Sequence, residues 1–281
     1  MRTSEQFRNM IKASGVIQIP GCYDCITATI VERAGFPAAY LTGSGISLTL
    51  SGIPDLNTIS YLELRQVVQN IRSAIQIPML VDIDTGFGAP LNLYRLTKEF
   101  EQLDIAAVQI EDQKVPKKCG HELGRRLVRD EEMVKRIRTI HENRLENGLV
   151  IVARTDARTV VGLDEAIRRG RLYLDAGADV IFVESPESYE EVKKIASEIK
   201  GPVLFNNVEG GRSPFLSRQE LEEAGFDGLL LRSIPMPRLG WSQKNAWSFS
   251  IRFNRPGQQQ GWKMRCFPTE NCGACLTARS G

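Results

Sequence analysis

Histidine is nearly missing from this chain: 281 residues hold two, His121 and His141. Six cysteines, at positions 22, 25, 119, 266, 272 and 275, are too few for a disulfide scaffold at this length. Cys22/Cys25 and Cys272/Cys275 have the CxxC spacing of zinc or redox motifs, but neither histidine lies near a pair to complete a zinc site. No apolar run is long enough to span a membrane. The opening "MRTSEQFRNMIKASG" lacks the apolar core of a secretion signal and reads instead as an amphipathic helix with Phe7, Met10 and Ile11 on one face. A cytosolic setting with reduced thiols is therefore expected. GxGxxG after a strand and GxxxxGK[ST] are both absent, so nucleotide binding has no support. A net charge of +2 points to neither nucleic acid nor membrane.

What is present is a repeating unit. Short runs rich in β-branched residues fall at 15–21, 38–43, 78–84, 106–112, 149–155, 179–185, 202–207 and 226–231. They are mostly continuous rather than alternating, as in parallel strands covered on both faces. Amphipathic stretches lie between them. One has Asn57 or Thr58 as its cap and Leu64, Val67, Val68 and Ile71 on a stripe; another carries Ala166, Ile167, Gly170, Tyr173 and Leu174. Gly177 and Gly201 are expected to end helices, and an Ala-Gly pair precedes a strand at 34–35, 176–177 and 224–225. Eight strand–helix units predict a (β/α)8 TIM barrel over residues 1–231, with an open doubly wound sheet as the alternative.

Composition shifts near Arg232. Residues 228–281 carry a net charge of +7 and all three tryptophans, leaving −5 for residues 1–227. Residues 232–281 read as an irregular basic tail without helical period.

Catalytic groups in such barrels sit at the C-terminal ends of strands. Here those ends carry Cys22 and Asp24; Thr42, Gly43 and Ser44; Asp82 and Asp84; Glu111 and Asp112; Arg154 and Asp156; Glu184; and Asn206 and Asn207. In a strand, residues i and i+2 share a side, so Asp82 and Asp84 are expected to face the barrel mouth together, beside Glu111 from the next strand. Three carboxylates in one pocket repel unless a cation joins them, and all-oxygen ligation suits Mg²⁺ or Mn²⁺. The next segment, "EDQKVPKKCGH", is bracketed by Pro116 and Gly120 and reads as a loop. Lys117, Lys118 and His121 would lower the Cys119 thiol pKa and make it a general acid.

"GSG", "GIPD", "VDIDTGFG", "VQIEDQ", "KKCGH", "VARTDAR", "GADVIFVES" and "NNVEGG" occur in this order. Together they resemble the isocitrate lyase/phosphoenolpyruvate mutase superfamily over about residues 5–231, and KKCGH after EDQ resembles its lyase branch. The resemblance implies a Mg²⁺-dependent enzyme that cleaves a C–C bond beside a 2-hydroxy acid, a small carboxylic acid being its substrate. It implies Asp82 as direct metal ligand, with Asp84 and Glu111 acting through waters. Thr42, Gly43 and Ser44 would bind the keto-acid carboxylate and oxygen, with Asp55 matching the aspartate of "PD". Arg154 would anchor substrate, Glu184 and Asn206 would line the far side, and Cys119 would be the catalytic acid on a mobile loop. Gln109 stands where isocitrate and methylisocitrate lyases usually have histidine. "VEGG" looks closer to the dimethylmalate lyase and petal death protein branch, so a substituted malate is favoured, with methylisocitrate cleavage and oxaloacetate hydrolysis kept open. Relatives of this kind are homotetramers. The tail departs from the family's closing helices, as a change of reading frame near Arg232 would cause. The barrel would then lack its last helix and its oligomer clasp. Impaired catalysis, or a tail that binds an acidic partner, is the competing reading.

Overall fold

The computed structural model describes residues 1–232 except 14, 121, 123, 209, 210 and 227, together with 247–251 and 264–268. The elements run α1 (Thr3–Lys12), β1 (Val16–Cys22), α2 (Cys25–Arg33), β2 (Ala39–Leu41), α3 (Gly43–Ser51), α4 (Tyr61–Ala74), β3 (Met79–Asp82), α5 (Pro90–Gln102), β4 (Ala107–Glu111), α6 (Asp130–Asn143), β5 (Val150–Thr155), α7 (Ala157–Val161), α8 (Leu163–Asp175), β6 (Val180–Val183), α9 (Tyr189–Glu198), β7 (Val203–Asn207), α10 (Arg218–Glu223) and β8 (Gly228–Arg232). Strands β1 to β8 pair in parallel in sequence order, and β8 closes on β1 with Val16 opposite Gly228. This is the (β/α)8 barrel that the eight apolar runs predict, and the closed sheet excludes the open alternative. The chain divides into two units, Met1–Ile234 and Pro235–Gly281. Within the second, β9 (Trp247–Ile251) and β10 (Met264–Pro268) pair antiparallel.

Alternation along the strands sorts the barrel's interior. The core cluster holds Ile19, Leu80, Ala107, Val152, Val180, Phe182, Leu204, Leu229 and Leu231. Counting on by two from its members reaches Asp82 on β3, Gln109 and Glu111 on β4, Arg154 on β5, Glu184 just past β6 and Asn206 on β7. The interior thus has an apolar floor and a charged roof. Helix α1 plugs the floor: Phe7 is fully buried in the cluster and Ile11 packs on it. That burial contributes roughly 1.5–3 kcal/mol. Thr3 Oγ1 donates to the Asp104 carbonyl and Ser4 Oγ to that of Asn147, and Arg8 pairs with Asp179 at 2.7 Å, tying α1 to the loops beneath β4, β5 and β6.

Helix boundaries follow local chemistry. Ala176 caps α8 and Gly177 follows at φ 105°, as the Ala-Gly pattern predicts. Helix α4 starts later than the sequence suggests. Ser60, not Asn57 or Thr58, is the cap, because Ser60 and Glu63 satisfy each other's backbone N–H groups. Gly201 does not end α9, which stops at the extended Ile199. Helix α3 is unforeseen, since its Gly- and Thr-containing sequence has low helix propensity; the Thr42 side chain caps it by accepting from the Gly45 N–H.

Candidate active site

Asp82 and Asp84 do come together, but not through strand pleating. Strand β3 ends at Asp82, and Asp84 stands in a turn with φ 49°. The turn brings the Asp84 N–H to Asp82 Oδ1 at 3.1 Å. A Cβ built on Gly43 would lie 3.2 Å from both Asp82 Oδ2 and Asp84 Oδ1, so α3 begins directly against both carboxylates. Tyr40 donates its hydroxyl to Asp82 Oδ2 at 3.1 Å, and the Gly43 N–H lies 3.4 Å from the same oxygen. Glu111 arrives beside them because its backbone N–H continues the β3–β4 ladder onto the Asp84 carbonyl, at 2.9 Å.

The segment after β4 closes over this group. The Gln113 side chain pins it by donating to the Lys118 carbonyl at 2.9 Å and accepting the Lys118 N–H at 3.0 Å. Lys117, expected as a cation for the Cys119 thiol, is buried and pairs with carboxylates. Its ammonium lies 2.5 Å from Asp55 Oδ1 and 2.7 Å from Asp84 Oδ1. Lys117 therefore serves the acids. Burial alone would lower its pKa, but Asp84, Glu111, Asp55 and Asp82 hold it well above the usual lysine range. Cys119 is half-buried, and Gly120 is packed so tightly that an added Cβ would overlap Arg154 Nη2 and lie 2.7 Å from Glu184. Ser185 Oγ donates to the Gly120 carbonyl at 3.1 Å. Only glycine allows this approach.

On the opposite rim, Arg154 grips Asp156 through Nε at 3.1 Å and Nη2 at 2.9 Å, and reaches Glu184 at 3.4 Å and Glu111 at 3.5 Å. Its guanidinium lies over the Phe182 ring, 5.4 Å from the centroid. Burial opposes the Asp156 charge, but Arg154 and Arg125 hold its carboxyl below the usual range. Behind it, Asp112 accepts from Thr155 Oγ1, the Asp156 N–H, Arg169 and Tyr173, a buried set that fixes the ends of β4 and β5 against α8.

The acids can hold a hard divalent cation. Glu111 Oε1 is buried and accepts no hydrogen bond, and the buried Asp84 Oδ1 has the Lys117 ammonium at 2.7 Å. Burial pushes Glu111 well above the carboxylate range, against the pull of Arg154 and Lys117. Asp84 is lifted to about 6, by burial first, against Lys117 and with Asp82 and Asp55 adding to it. Among the described residues no three acid, histidine or cysteine side chains close on one point. The all-oxygen donors are of the type that hard divalent cations such as Mg²⁺ take.

Thr42, Gly43 and Ser44 form the start of α3, whose N-terminus faces the carboxylates. Asp55 joins them through Lys117. Asn206 is half-buried on β7, while the neighbouring Asn207 amide is engaged by the Leu216 backbone. His121 lies outside the described residues, as does the CxxC pair at 272 and 275. Cys22 is fully buried, burial pushes its thiol pKa up, and Cys22 and Cys25 are both free thiols. Tyr40, Gln113 and Arg125 escape the sequence reading as site residues, whereas Asp156 is named there only as a strand-end group beside Arg154. Arg125 is one of three arginines in "GRRLVRD", and only the fold distinguishes it.

The sequence signature described as phosphoenolpyruvate phosphomutase matches residues 7–234. A 2,3-dimethylmalate lyase of Eubacterium barkeri is 43% identical over 227 residues, 81% of this chain and 78% of that protein. A 2-methylisocitrate lyase of Halalkalibacterium halodurans is 43% identical over 79% of this chain and 73% of its own. Among solved structures, 2,3-dimethylmalate lyase in a trigonal crystal form superposes with TM-score 0.78 at 33% identity, over 82% of this chain and 78% of that one. Oxaloacetate acetylhydrolase bound to 3,3-difluorooxalacetate gives 0.76 at 31%, over 82% and 80%. Phosphonopyruvate hydrolase with oxalate and Mg²⁺ gives 0.72 at 27%, over 83% and 81%. With its barrel, its strand-end acids and a signature match over most of its length, this chain belongs to the phosphoenolpyruvate mutase/isocitrate lyase superfamily, among its carbon–carbon lyases.

Proposed function

We propose that the protein is a Mg²⁺-dependent lyase that splits a substituted 2-hydroxy di- or tricarboxylate, of the 2,3-dimethylmalate or 2-methylisocitrate type, into a 2-keto acid such as pyruvate and a second carboxylic acid. The observation that carries this reading is the seating of one segment on both rims: Lys117 on Asp55 and Asp84, and Gly120 on Arg154 and Glu184, with Cys119 between them. The dimethylmalate type is favoured by Gln109 and "VEGG" in the sequence, since the dimethylmalate and methylisocitrate lyases are equally similar at 43% identity.

Asp82 would hold the metal directly, and Asp84 and Glu111 through waters; when bound, it supplies positive charge beside the keto-acid oxygen and carboxylate. The N-terminus of α3, at Thr42, Gly43 and Ser44, binds the substrate carboxylate through backbone N–H groups. Arg154 holds a carboxylate with its planar fork, and Glu184 and Asn206 line the remaining wall, with His121 proposed from the sequence as a further substrate-binding residue. Glu111 accepts the hydroxyl proton, a role supported by its buried, unbonded Oε1. The C–C bond breaks, its electron pair stays on the departing fragment as an enolate, and the Cys119 S–H proton passes to that carbon. Lys117 balances the charge of Asp55 and Asp84 meanwhile. The seated segment excludes water from the enolate. These groups all belong to residues 1–231, and the protein is proposed to assemble as a homotetramer.

A second reading is hydrolysis of oxaloacetate at the same site, favoured by the superposition on oxaloacetate acetylhydrolase. A panel of 2,3-dimethylmalate, 2-methylisocitrate and oxaloacetate with Mg²⁺ separates them. Pyruvate release from one of the first two, lost in Cys119→Ser, supports the lyase. Oxalate release from oxaloacetate alone supports the hydrolase, and no turnover of any compound contradicts both.

A further inference from the structure

Asp156 is fully buried, and its Oδ1 takes two guanidiniums, those of Arg154 and Arg125. Its backbone N–H is fixed on Asp112 at 2.9 Å, so the carboxylate is held away from water. Arg154 divides its donors among Asp156, Glu184 and Glu111. A substrate carboxylate that recruits Arg154 draws those donors away from Asp156. A buried carboxylate losing its only cation is costly. Arg125 removes that cost. It lies five residues beyond Gly120, its second arm is tied to Thr159 Oγ1 on α7, and its side chain is buried. It therefore reaches Asp156 from the segment that carries Cys119.

We propose that Arg125 is a positioning residue for Arg154: by neutralising Asp156 from the Cys119 segment, it lets Arg154 turn to an anionic substrate only when that segment is seated. This rests on the reading of Cys119 and Arg154 as parts of one reaction chamber. Thiol acid and carboxylate anchor are thereby made ready together, although they sit on different elements.

The test uses the full chain carrying Arg125→Ala, Arg125→Lys, Asp156→Asn and the Ala/Asn double variant. Cys119 is labelled with iodoacetamide and followed by peptide mass spectrometry, with Cys25, on α2 away from the segment, as internal control. Arg125→Ala is expected to speed Cys119 labelling at least fivefold with Cys25 unchanged, and Arg125→Lys to return it to within twofold of the parent. In the Asp156→Asn background, removing Arg125 is expected to add less than twofold, because its partner is gone. With whichever panel compound is cleaved, KM is expected to rise about tenfold in Arg125→Ala, more than kcat falls. Labelling within twofold of the parent, equal acceleration of Cys119 and Cys25, or effects of the two substitutions that simply add would each overturn the proposal. The labelling arms need no turnover, so they decide the role of Arg125 even if every panel compound fails.

Discussion

The two rims of the barrel mouth are charged differently. On the β2–β3 side, Asp55, Asp82 and Asp84 face the single cation Lys117. On the β5–β6 side, Asp156, Glu184 and the bridging Glu111 meet Arg154 and Arg125. The first rim is short of positive charge, and Asp84 there is lifted to about 6, by burial first, with Asp82 and Asp55 adding to it against Lys117. The second is nearer balance, with two cations for three acids: Arg154 and Arg125 hold Asp156 below its usual range, although burial pushes Glu111 up. An under-neutralised cluster is poised to take a cation, whereas a balanced one holds a guanidinium in place. The same contrast separates chemistry from anchoring, and the Cys119 segment touches both, through Lys117 and Gly120.

The sharpest way to break this contrast is to remove the acid between the rims. Cys119→Ser is expected to lower kcat by about 10²–10⁴-fold, with an unchanged melting temperature; retained turnover in the substrate panel would remove Cys119 from the mechanism. Next comes Gly120→Ala, whose methyl group would meet Arg154 and Glu184. Misseating the segment is expected to cost on the order of 10²-fold in kcat/KM, while circular dichroism stays that of the parent.

The pH response tests the under-neutralised rim alone. Asp84 has a folded pKa of about 6, above its ordinary 3.8. Stability from its protonation is fully present below pH 3.8 and is lost as pH rises through 6. The metal-free protein is thus relieved of charge at low pH, while a protonated Asp84 serves a cation poorly. The rise in melting temperature on adding Mg²⁺ is expected to be larger at pH 7.5 than at pH 5.5; an equal or larger rise at pH 5.5 would break the assignment. The smallest effect should come from behind the balanced rim. Tyr173→Phe deletes the 2.8 Å bond to Asp112 and is expected to cost about 1–2 kcal/mol in urea unfolding, with kcat nearly unchanged.

Much of this was legible before the fold was seen, for identifiable reasons. Continuous apolar runs locate all eight barrel strands because strands covered on both faces tolerate few polar residues. Asp82, Glu111, Arg154 and Glu184 could be placed because strand ends in such barrels point to the mouth. Asp84 was reached by a faulty route: pleating would bring it beside Asp82, but the left-handed turn does so instead. The sequence places Lys117 beside Cys119, and nothing local announces its partner Asp55, sixty-two residues away. Arg125 and Gln113 were invisible for the same reason, since their partners lie on other elements or across a fold-back of the chain. Helix α3 was hidden by weak propensity and formed by its cap.

The contrast between the rims comes down to whether the acidic one holds a divalent ion. Calorimetric titration of Mg²⁺ into the metal-free protein and its Asp82→Asn variant tests this directly. The account predicts one saturable site in the parent that is lost in the variant. Equal binding by both proteins, or none by the parent, would contradict it.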